Sequence, residues 1–429
     1  MTNDTAQLDD AAVHSAVDEL STGTDYEALA ARFRPLFETI RATALDREKQ
    51  RALPYGEIRA LKEAGFGAVR VPKKYGGAGA SLPQLIELLI ELAEADSNIP
   101  QSLRGHFAFV EDRLNAHATS DQSGWFARFV SGDLVGNAWT EVGAVEVGTV
   151  DTKVTPGPDG WVVNGEKYYS TGSIFADWID VFSQRSDTDE LVIAAVSTHQ
   201  DAVAQQDDWD GFGQRTTGSG TSTFRDALVL PENVFPFESR FRYQTAFYQL
   251  VLLAVLAGST RAAAREVAAQ AKGRTRVYSN GAAPVWSDDP QIQQVVGEAT
   301  AQGFAATAIA VRSAEASQAS YLARYEFDEA KELQANIRAE LDSAQGQVVL
   351  VKLALEATST VLNALGASGV SESKRLDRYW RNARTASSHN PVVFKARIVG
   401  DWAINGTPPP YVWWIGASKS SAASEKAGQ

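Results

Sequence analysis

A cationic and aromatic stretch runs from Arg375 to Pro391, between two apolar, helix-like segments. Its arginines recur at a spacing near three: Arg375, Arg378, Arg381, Arg384 and, further on, Arg397. Tyr379 and Trp380 lie among them, and His389 stands near the end of the stretch. Guanidinium groups beside aromatic rings suit an anionic, planar ligand. The alternative is a solvated helix face with some intersubunit ion pairs, since charge runs are usually solvated.

Composition limits the classes of protein that are compatible with this stretch. The chain has 429 residues, with 40 Lys and Arg against 53 Asp and Glu, giving a net charge of −13. This balance argues against a nucleic-acid partner, although it leaves room for a local basic pocket. The absence of cysteine excludes disulfides, thiolate metal sites and a cysteine nucleophile. No spacing of His, Asp and Glu indicates a metal site.

Neither a targeting segment nor a membrane span is expected. The first ten residues are polar and acidic, without the basic and apolar regions of a signal peptide. The longest apolar run, Leu250 to Ala257, is far below the ~20 residues that a membrane span needs. We therefore expect a soluble, cytoplasmic protein with no membrane partner.

The pattern of apolar residues divides the chain into three folded parts between two tails. Residues 1–25 form a polar, flexible tail, and residues 26–131 show helical periodicity. Short Val-, Ile- and Tyr-rich runs separated by Gly, Pro and Asp fill residues 132–240, which predicts an antiparallel β-barrel or sandwich. Residues 241–416 predict four long helices in a bundle, and residues 417–429 predict a disordered tail.

An all-β part between two helical ones is a rare order, and several motifs occur with it. They are Gly65–Gly67 followed by Pro72–Gly77, Asn137–Glu141, Asn164–Gly172, the pair Ala257–Gly258, and Arg274–Arg276. With these motifs in this order, the chain resembles the acyl-CoA dehydrogenase superfamily over nearly its whole length. The resemblance implies an α+β fold with an N-terminal helical domain, a central antiparallel β-barrel domain and a C-terminal four-helix bundle.

One departure from the dehydrogenases concerns the base that removes the substrate proton. They often carry a carboxylate before the final helix, whereas residues 386–391 here contain no Asp or Glu. Together with Arg381–Thr385, His389–Pro391 and Asp207–Gly220, this looks like the flavin-dependent monooxygenase branch, typified by dibenzothiophene monooxygenase and the sulfur-acquisition oxidoreductases.

The resemblance implies a two-component reaction. Relatives in that branch take reduced FMN from a separate flavin reductase and add O₂ to form a C4a-(hydro)peroxyflavin. One oxygen atom then passes to a small organosulfur or aromatic heterocyclic substrate. A separate reductase also fits the absence of a Gly-x-Gly-x-x-Gly dinucleotide fingerprint after a strand. FMN is expected rather than FAD, and a homotetramer is expected by analogy.

The resemblance also assigns roles to particular residues. His389 is expected to exchange a proton with the bound peroxide, because an unperturbed imidazole titrates near ~6.5. The predicted catalytic residues are His389, Asn137, Thr171 and, on the substrate side, His106. The predicted cofactor-binding residues are Asn137, Trp139, Ser170, Thr171, Trp209, Arg276, Arg384, His389 and Asn390. For each of them a purely structural role remains open at this level: a core or capping histidine, a strand hydroxyl, a core tryptophan or a surface arginine.

Two other functions remain open. One is an FAD-dependent acyl-CoA dehydrogenase whose base comes from another segment, for which Glu141 is a poor candidate. The other is a non-catalytic scaffold of the same fold, although a scaffold does not need Asn137, Thr171, Trp209 and His389 together.

Overall fold

The order of elements is helices, sheet, helices, as the sequence predicts. The structure is a computed structural model that describes Leu20 and residues 23–142, 149–158 and 160–413. The tails predicted at 1–25 and 417–429 lie outside the described residues, apart from Leu20 and residues 23–25.

Six helices make up the first part of the described chain: α1 (Tyr26–Gln50), α2 (Tyr55–Glu63), α3 (Leu82–Ala95), α4 (Asn98–Ser102), α5 (Arg104–Ala116) and α6 (Ser123–Ser131). Helix α3 begins at a capping box, in which the Ser81 side chain accepts from Gln84 N and the Gln84 side chain accepts from Ser81 N. The sequence predicts a helix over residues 82–94, capped by Ser81, with one buried stripe of leucines. All four leucines of that stripe are fully buried: Leu85, Leu88, Leu89 and Leu92. The prediction of this helix and of its apolar face is confirmed.

The middle part is a sheet of eight strands in the described chain: β1 (Val135–Ala138), β2 (Lys153–Gly157), β3 (Gly160–Lys167), β4 (Trp178–Arg185), β5 (Leu191–Ser197), β6 (Val203–Gln205), β7 (Ser222–Val229) and β8 (Val234–Pro236). The strand order is β6-β7-β3-β2-β4-β5-β8, and β1 pairs with β4. The pairs β1–β4 and β2–β4 are parallel, whereas the remaining pairs are antiparallel.

The sheet differs from the predicted antiparallel barrel. The path of paired strands runs from β6 to β8 without closing, so the sheet is mixed and open. Strand periodicity was a sound guide to where strands occur, but it does not indicate which strands pair, because alternation within a strand is the same in both directions.

The last part contains α7 (Gln244–Lys272), α8 (Pro290–Arg324), α9 (Glu329–Thr360), α10 (Asp377–Ser388) and α11 (Lys395–Asn405). Helices α7, α8 and α9 have 29, 35 and 32 residues and pack against one another. The fourth helix, which the sequence predicts over residues 392–404, corresponds to α11 and has only 11 residues. Helix α7 is long and apolar enough to cross a membrane, but 89% of its most apolar window is buried inside the structure. Its composition therefore fits a central core helix.

One apolar core joins the N-terminal helices to the C-terminal ones. Side chains of α3, such as Leu88, and of α7, such as Leu252, belong to the same buried cluster, which also includes Val135 of β1. A second cluster, with Val154 and Val181, lies within the sheet. This packing brings α5, β1, β3 and α7 together around one cavity.

Candidate active site

A cavity lies where helix α5, strands β1 and β3, helix α7 and the turn after α10 meet. Each contributes a polar side chain to its wall: Arg104, Asn137, Lys167, Tyr248 and His389. The other walls are largely aromatic or aliphatic: Trp139, Val150, Tyr169, Phe182, Phe237, Val412 and Trp413. The empty volume, part of which is open to solvent, is about 1180 Å³. Such a cleft, mostly apolar with a few convergent polar groups, is typical of a ligand site.

Arg104 and His389 form the polar end of the cavity. Nη2 of Arg104 lies 2.8 Å from Nε2 of His389. A guanidinium group only donates, so His389 accepts at Nε2 and carries its proton at Nδ1. That nitrogen lies 3.2 Å from Oδ1 of Asn390, whose Nδ2 donates over 2.9 Å to Oε1 of Gln249. The hydrogen bonds therefore run in one direction, from Arg104 to Gln249.

The same arrangement changes the acidity expected for His389. Enclosure by the protein and the adjacent charge of Arg104 lower the pKa of His389 to about 3, although its ring remains open to the cavity. At neutral pH the imidazole is therefore uncharged. His389 is therefore a neutral hydrogen-bonding group, and a weaker base than the imidazole titrating near ~6.5 that the sequence suggested.

Trp139 is fixed beside the cavity by a buried ion pair. Its indole Nε1 donates to Oδ1 of Asp180 over 2.8 Å, and Arg240 donates to Oδ2 of the same carboxylate over 2.9 Å. The Arg240 guanidinium lies 4.8 Å from the centre of the Trp139 rings. The position of this wall is thus set by residues of β4 and of the segment before α7.

Glu141 and Lys167 close the β side of the cavity. Lys167 Nζ lies 2.6 Å from Glu141 Oε1, which also accepts from Thr152 Oγ1 over 2.6 Å. Burial alone would raise the pKa of Glu141, but Lys167 and the neighbouring donors lower it. Glu141 is therefore ionised and already bonded to Lys167 and Thr152, which makes it a poor base.

Two of the predicted flavin contacts have buried atoms that lack a partner. Oδ1 of Asn137 and Oγ of Ser170 are buried and accept or donate no hydrogen bond within the described chain. Unpaired buried polar atoms are rare and call for a ligand or water. A Cβ on Gly105 would lie 2.7 Å from Oδ1 of Asn137, so glycine permits this close approach of α5 to β1. The residues present fit a ring with both donors and acceptors, such as the isoalloxazine of FMN.

Ser170 and the remaining predicted residues lie outside the cavity lining. Thr171 is buried, and its Oγ1 lies 2.8 Å from Oγ of Ser219. Trp209 adjoins the site through Tyr169, with ring centres 5.9 Å apart. Arg276 is exposed and Arg384 is half-buried, and neither guanidinium has an ion-pair partner among the residues described. The structure thus brings together Asn137, Trp139, His389 and Asn390.

His106, expected on the substrate side, points elsewhere. Its Nε2 lies 2.9 Å from the carbonyl oxygen of Gly67, and its Nδ1 accepts from Val135 N over 3.2 Å. Burial lowers its pKa to about 4. The side chain of α5 that reaches the cavity is Arg104, two residues earlier, which sequence reasoning missed. The available signal was an arginine at the start of a helix, with the apolar Phe107 and Ala108 one turn later.

Comparison with known proteins agrees with this architecture. The family model of the acyl-CoA dehydrogenase N-terminal domain matches residues 24–133, and that of the acyl-CoA dehydrogenase C-terminal domain matches residues 250–394. The chain belongs to the acyl-CoA dehydrogenase superfamily. Within that superfamily, it lies in the flavin-dependent monooxygenase branch, as the following relatives indicate.

A dibenzothiophene monooxygenase of Rhodococcus erythropolis is 28% identical over 404 residues, covering 88% of this chain and 93% of that one. A probable FMNH2-dependent monooxygenase, SfnC of Pseudomonas putida, is 25% identical over 380 residues, with 86% and 92% covered. The crystal structure of TdsC from Paenibacillus sp. A11-2 with FMN and indole superposes with a TM-score of 0.79 at 28% identity, covering 90% of this chain and 99% of that one.

Proposed function

We propose that this chain is the oxygenase component of a two-component flavin-dependent monooxygenase, which uses reduced FMN and O₂ to oxygenate a small organosulfur or aromatic heterocyclic compound. One observation carries the proposal: Glu141 is the single carboxylate among the described lining residues, and it is held by Lys167. A dehydrogenase needs a free carboxylate as base, whereas this cavity presents a neutral imidazole, His389.

FMN, when bound, supplies the electrons and the site at which O₂ is activated. Asn137 and Ser170 would hydrogen-bond its ring, because Oδ1 and Oγ of these residues lack partners. Trp139 and Trp209 would provide aromatic contacts, and the hydroxyl of Thr171, next to Ser170 in the turn after β3, would be a further hydrogen-bonding group. For the phosphate we propose Arg276 and Arg384, since a guanidinium binds phosphate through two parallel hydrogen bonds.

The side chains of the chain have separate tasks in this proposal. The aromatic walls, with Trp139 and Phe182, exclude water from the reacting centre. Nε2 of His389 accepts from Arg104 and Nδ1 donates to Asn390, so these two neighbours hold the neutral imidazole at the reacting centre. Arg104 sets the tautomer of His389 and provides positive charge at that end.

Further parts of the proposal concern partners and assembly. A separate flavin reductase supplies reduced FMN, and the chain assembles as a homotetramer in the cytoplasm. The C-terminal helices form a four-helix bundle in which α11 completes the group of α7, α8 and α9. The boundaries proposed for the helical, β and helical domains are 26–131, 132–240 and 241–416.

Rapid mixing tests the proposed activity against its rivals. Anaerobic protein with reduced FMN is mixed with oxygenated buffer in a stopped-flow spectrophotometer. A monooxygenase gives a transient whose absorbance differs from that of both reduced and oxidised FMN. Bleaching of a bound FAD by an acyl-CoA, without such a transient, would instead identify a dehydrogenase, and failure to bind any flavin would leave a scaffold.

A further inference from the structure

Arg104 differs from the other buried arginines because no carboxylate among the described residues forms an ion pair with it. The structure describes six arginines whose side chains are buried: Arg47, Arg70, Arg104, Arg113, Arg240 and Arg378. Five of them pair with acids, as in the Arg70–Glu111 and Arg240–Asp180 pairs at 3.0 Å and 2.9 Å. Arg104 is 4% exposed, and no Asp or Glu among the described residues lies within ion-pair distance of it.

The contacts that Arg104 does make are with uncharged groups. It donates one hydrogen bond to Nε2 of His389 at 2.8 Å, and its guanidinium carbon lies 5.0 Å from the centre of the Tyr248 ring. Its Nε is buried without a partner, and the hydroxyl of Tyr248 is also buried and unpaired. Most N–H groups of this guanidinium therefore have no acceptor among the described residues, and the side chain lines the cavity.

A buried cation without a counter-ion is unfavourable in a folded protein. Burial lowers the pKa of Arg104 to about 10, which still leaves the group charged at neutral pH. Charged side chains that are buried away from water are normally paired with a group of opposite charge. Because the described chain provides no such partner, the partner is expected to arrive with a ligand.

We propose that Arg104 binds an anionic oxygen group of the substrate, namely a carboxylate, sulfinate or sulfonate, so that the natural substrate is a small aromatic or organosulfur acid. This inference rests on the monooxygenase function proposed above. The anion accepts hydrogen bonds from the guanidinium of Arg104 and from the hydroxyl of Tyr248. The rest of the substrate packs against the aromatic walls of the cavity.

The location of Arg104 favours the substrate over the phosphate of the cofactor. Arg104 is bonded to His389, which we place at the reacting centre, whereas Arg276 and Arg384, which we propose for the phosphate, lie outside the cavity lining. The isoalloxazine of reduced flavin also carries negative charge, so the experiment has to separate these two anions.

Two probes of equal shape test the charge preference of the unmodified protein. Benzoate and benzamide are titrated by calorimetry into full-length protein loaded with oxidised FMN. We expect benzoate to bind roughly 10- to 100-fold more tightly, the range for a hydrogen bond to a charged partner. Equal affinities would overturn the inference. No turnover is required, so this result is independent of whether the stopped-flow transient appears.

Variants then assign the preference to Arg104. Arg104→Gln should remove the advantage of benzoate, and Arg104→Lys should retain part of it, while both keep their affinity for reduced FMN within about twofold. The control Arg312→Gln removes one charge at an exposed position and should behave as the wild type. A loss of reduced-FMN affinity in Arg104→Gln with no benzoate preference in the wild type would assign the anion to the flavin and overturn the inference.

Discussion

Nη2 of Arg104 lies 2.8 Å from Nε2 of His389, although the two residues are 285 positions apart in the sequence. Because arginine cannot accept, this contact fixes the tautomer of the imidazole, and together with enclosure by the protein it keeps the ring uncharged. The contact joins a helix of the N-terminal part to the turn after α10. The chemistry of the cavity therefore depends on how those two parts are packed together.

Replacement of His389 by alanine should separate flavin binding from oxygenation. The variant removes the imidazole that Arg104 and Asn390 hold at the cavity, so we expect unchanged FMN affinity and a loss of product formation of about 10²- to 10⁴-fold, the usual contribution of a positioned acid or base. The oxidising equivalents should instead appear as hydrogen peroxide. Fluorescence titration with FMN and a peroxide assay during turnover measure the two effects.

Ser388→Ala provides the matched control for that variant. Ser388 is exposed, and its Oγ donates only to the carbonyl oxygen of Arg384 over 2.9 Å. Its product yield should equal that of the wild type. Normal coupling of oxygen use to product in His389→Ala would refute the role of the imidazole.

Whether a feature of the fold or of the site could be predicted from the sequence depends on how far apart in the chain the interacting residues lie. The cap and buried stripe of α3 were predictable, since Ser81 and the leucines act within a few residues of one another. The parallel pairing of β1 with β4 was not, because it depends on contacts between separate segments. On α5 both Arg104 and His106 are buried, so the helix has no exposed face that would indicate which one reaches the cavity.

Replacement of Asn137 by alanine should weaken FMN binding without lowering stability. Oδ1 of Asn137 is buried without a partner, so its removal costs the folded protein no internal hydrogen bond. If that atom bonds the flavin ring, the loss should be roughly tenfold in FMN affinity. Titration with FMN and urea denaturation of the flavin-free protein measure the two quantities.

Asn164→Ala is the comparison for Asn137→Ala. Asn164 is exposed on β3 and exchanges hydrogen bonds of 2.8 and 2.9 Å with Asp226. Its loss should leave FMN affinity unchanged. Identical affinities of FMN for Asn137→Ala and the wild type would remove Asn137 from the flavin site.

Replacement of His106 by glutamine should reduce the acid sensitivity of the fold. The pKa of His106 is about 4 in the folded protein, against ~6.5 when unfolded, so between these values the unfolded chain binds more protons. Stability from His106 is therefore fully present above ~6.5 and lost as the pH falls towards ~4, by about 2 kcal/mol at pH ~5. Glutamine can still bridge Gly67 and Val135 but does not titrate.

Urea denaturation at pH ~7 and pH ~5 measures that difference, and the change in unfolding free energy between the two pH values should be smaller in His106→Gln. The control is His199→Gln, whose side chain is 73% exposed, and which should lose stability between the two pH values as the wild type does. An equal pH dependence in His106→Gln and the wild type would contradict the assignment.

Replacement of Lys167 by methionine should lower the free energy of unfolding, because it breaks the buried ion pair on the β side of the cavity. Lys167 is fully buried and Glu141 is 8% exposed, and removing the ammonium leaves the carboxylate without a counter-ion. Breaking one side of a buried pair typically costs ~3–5 kcal/mol. Adding Glu141→Gln should recover most of this loss, because the amide oxygen can still accept from Thr152 without a buried charge. Urea denaturation of the two single variants and of the double variant measures the coupling.

The exposed pair of Arg312 with Glu315 offers the comparison, since Arg312→Met should cost less than ~1 kcal/mol. If the double variant were as unstable as Lys167→Met, the loss would come from packing of the lysine stem, and the charge argument for this wall of the site would fail.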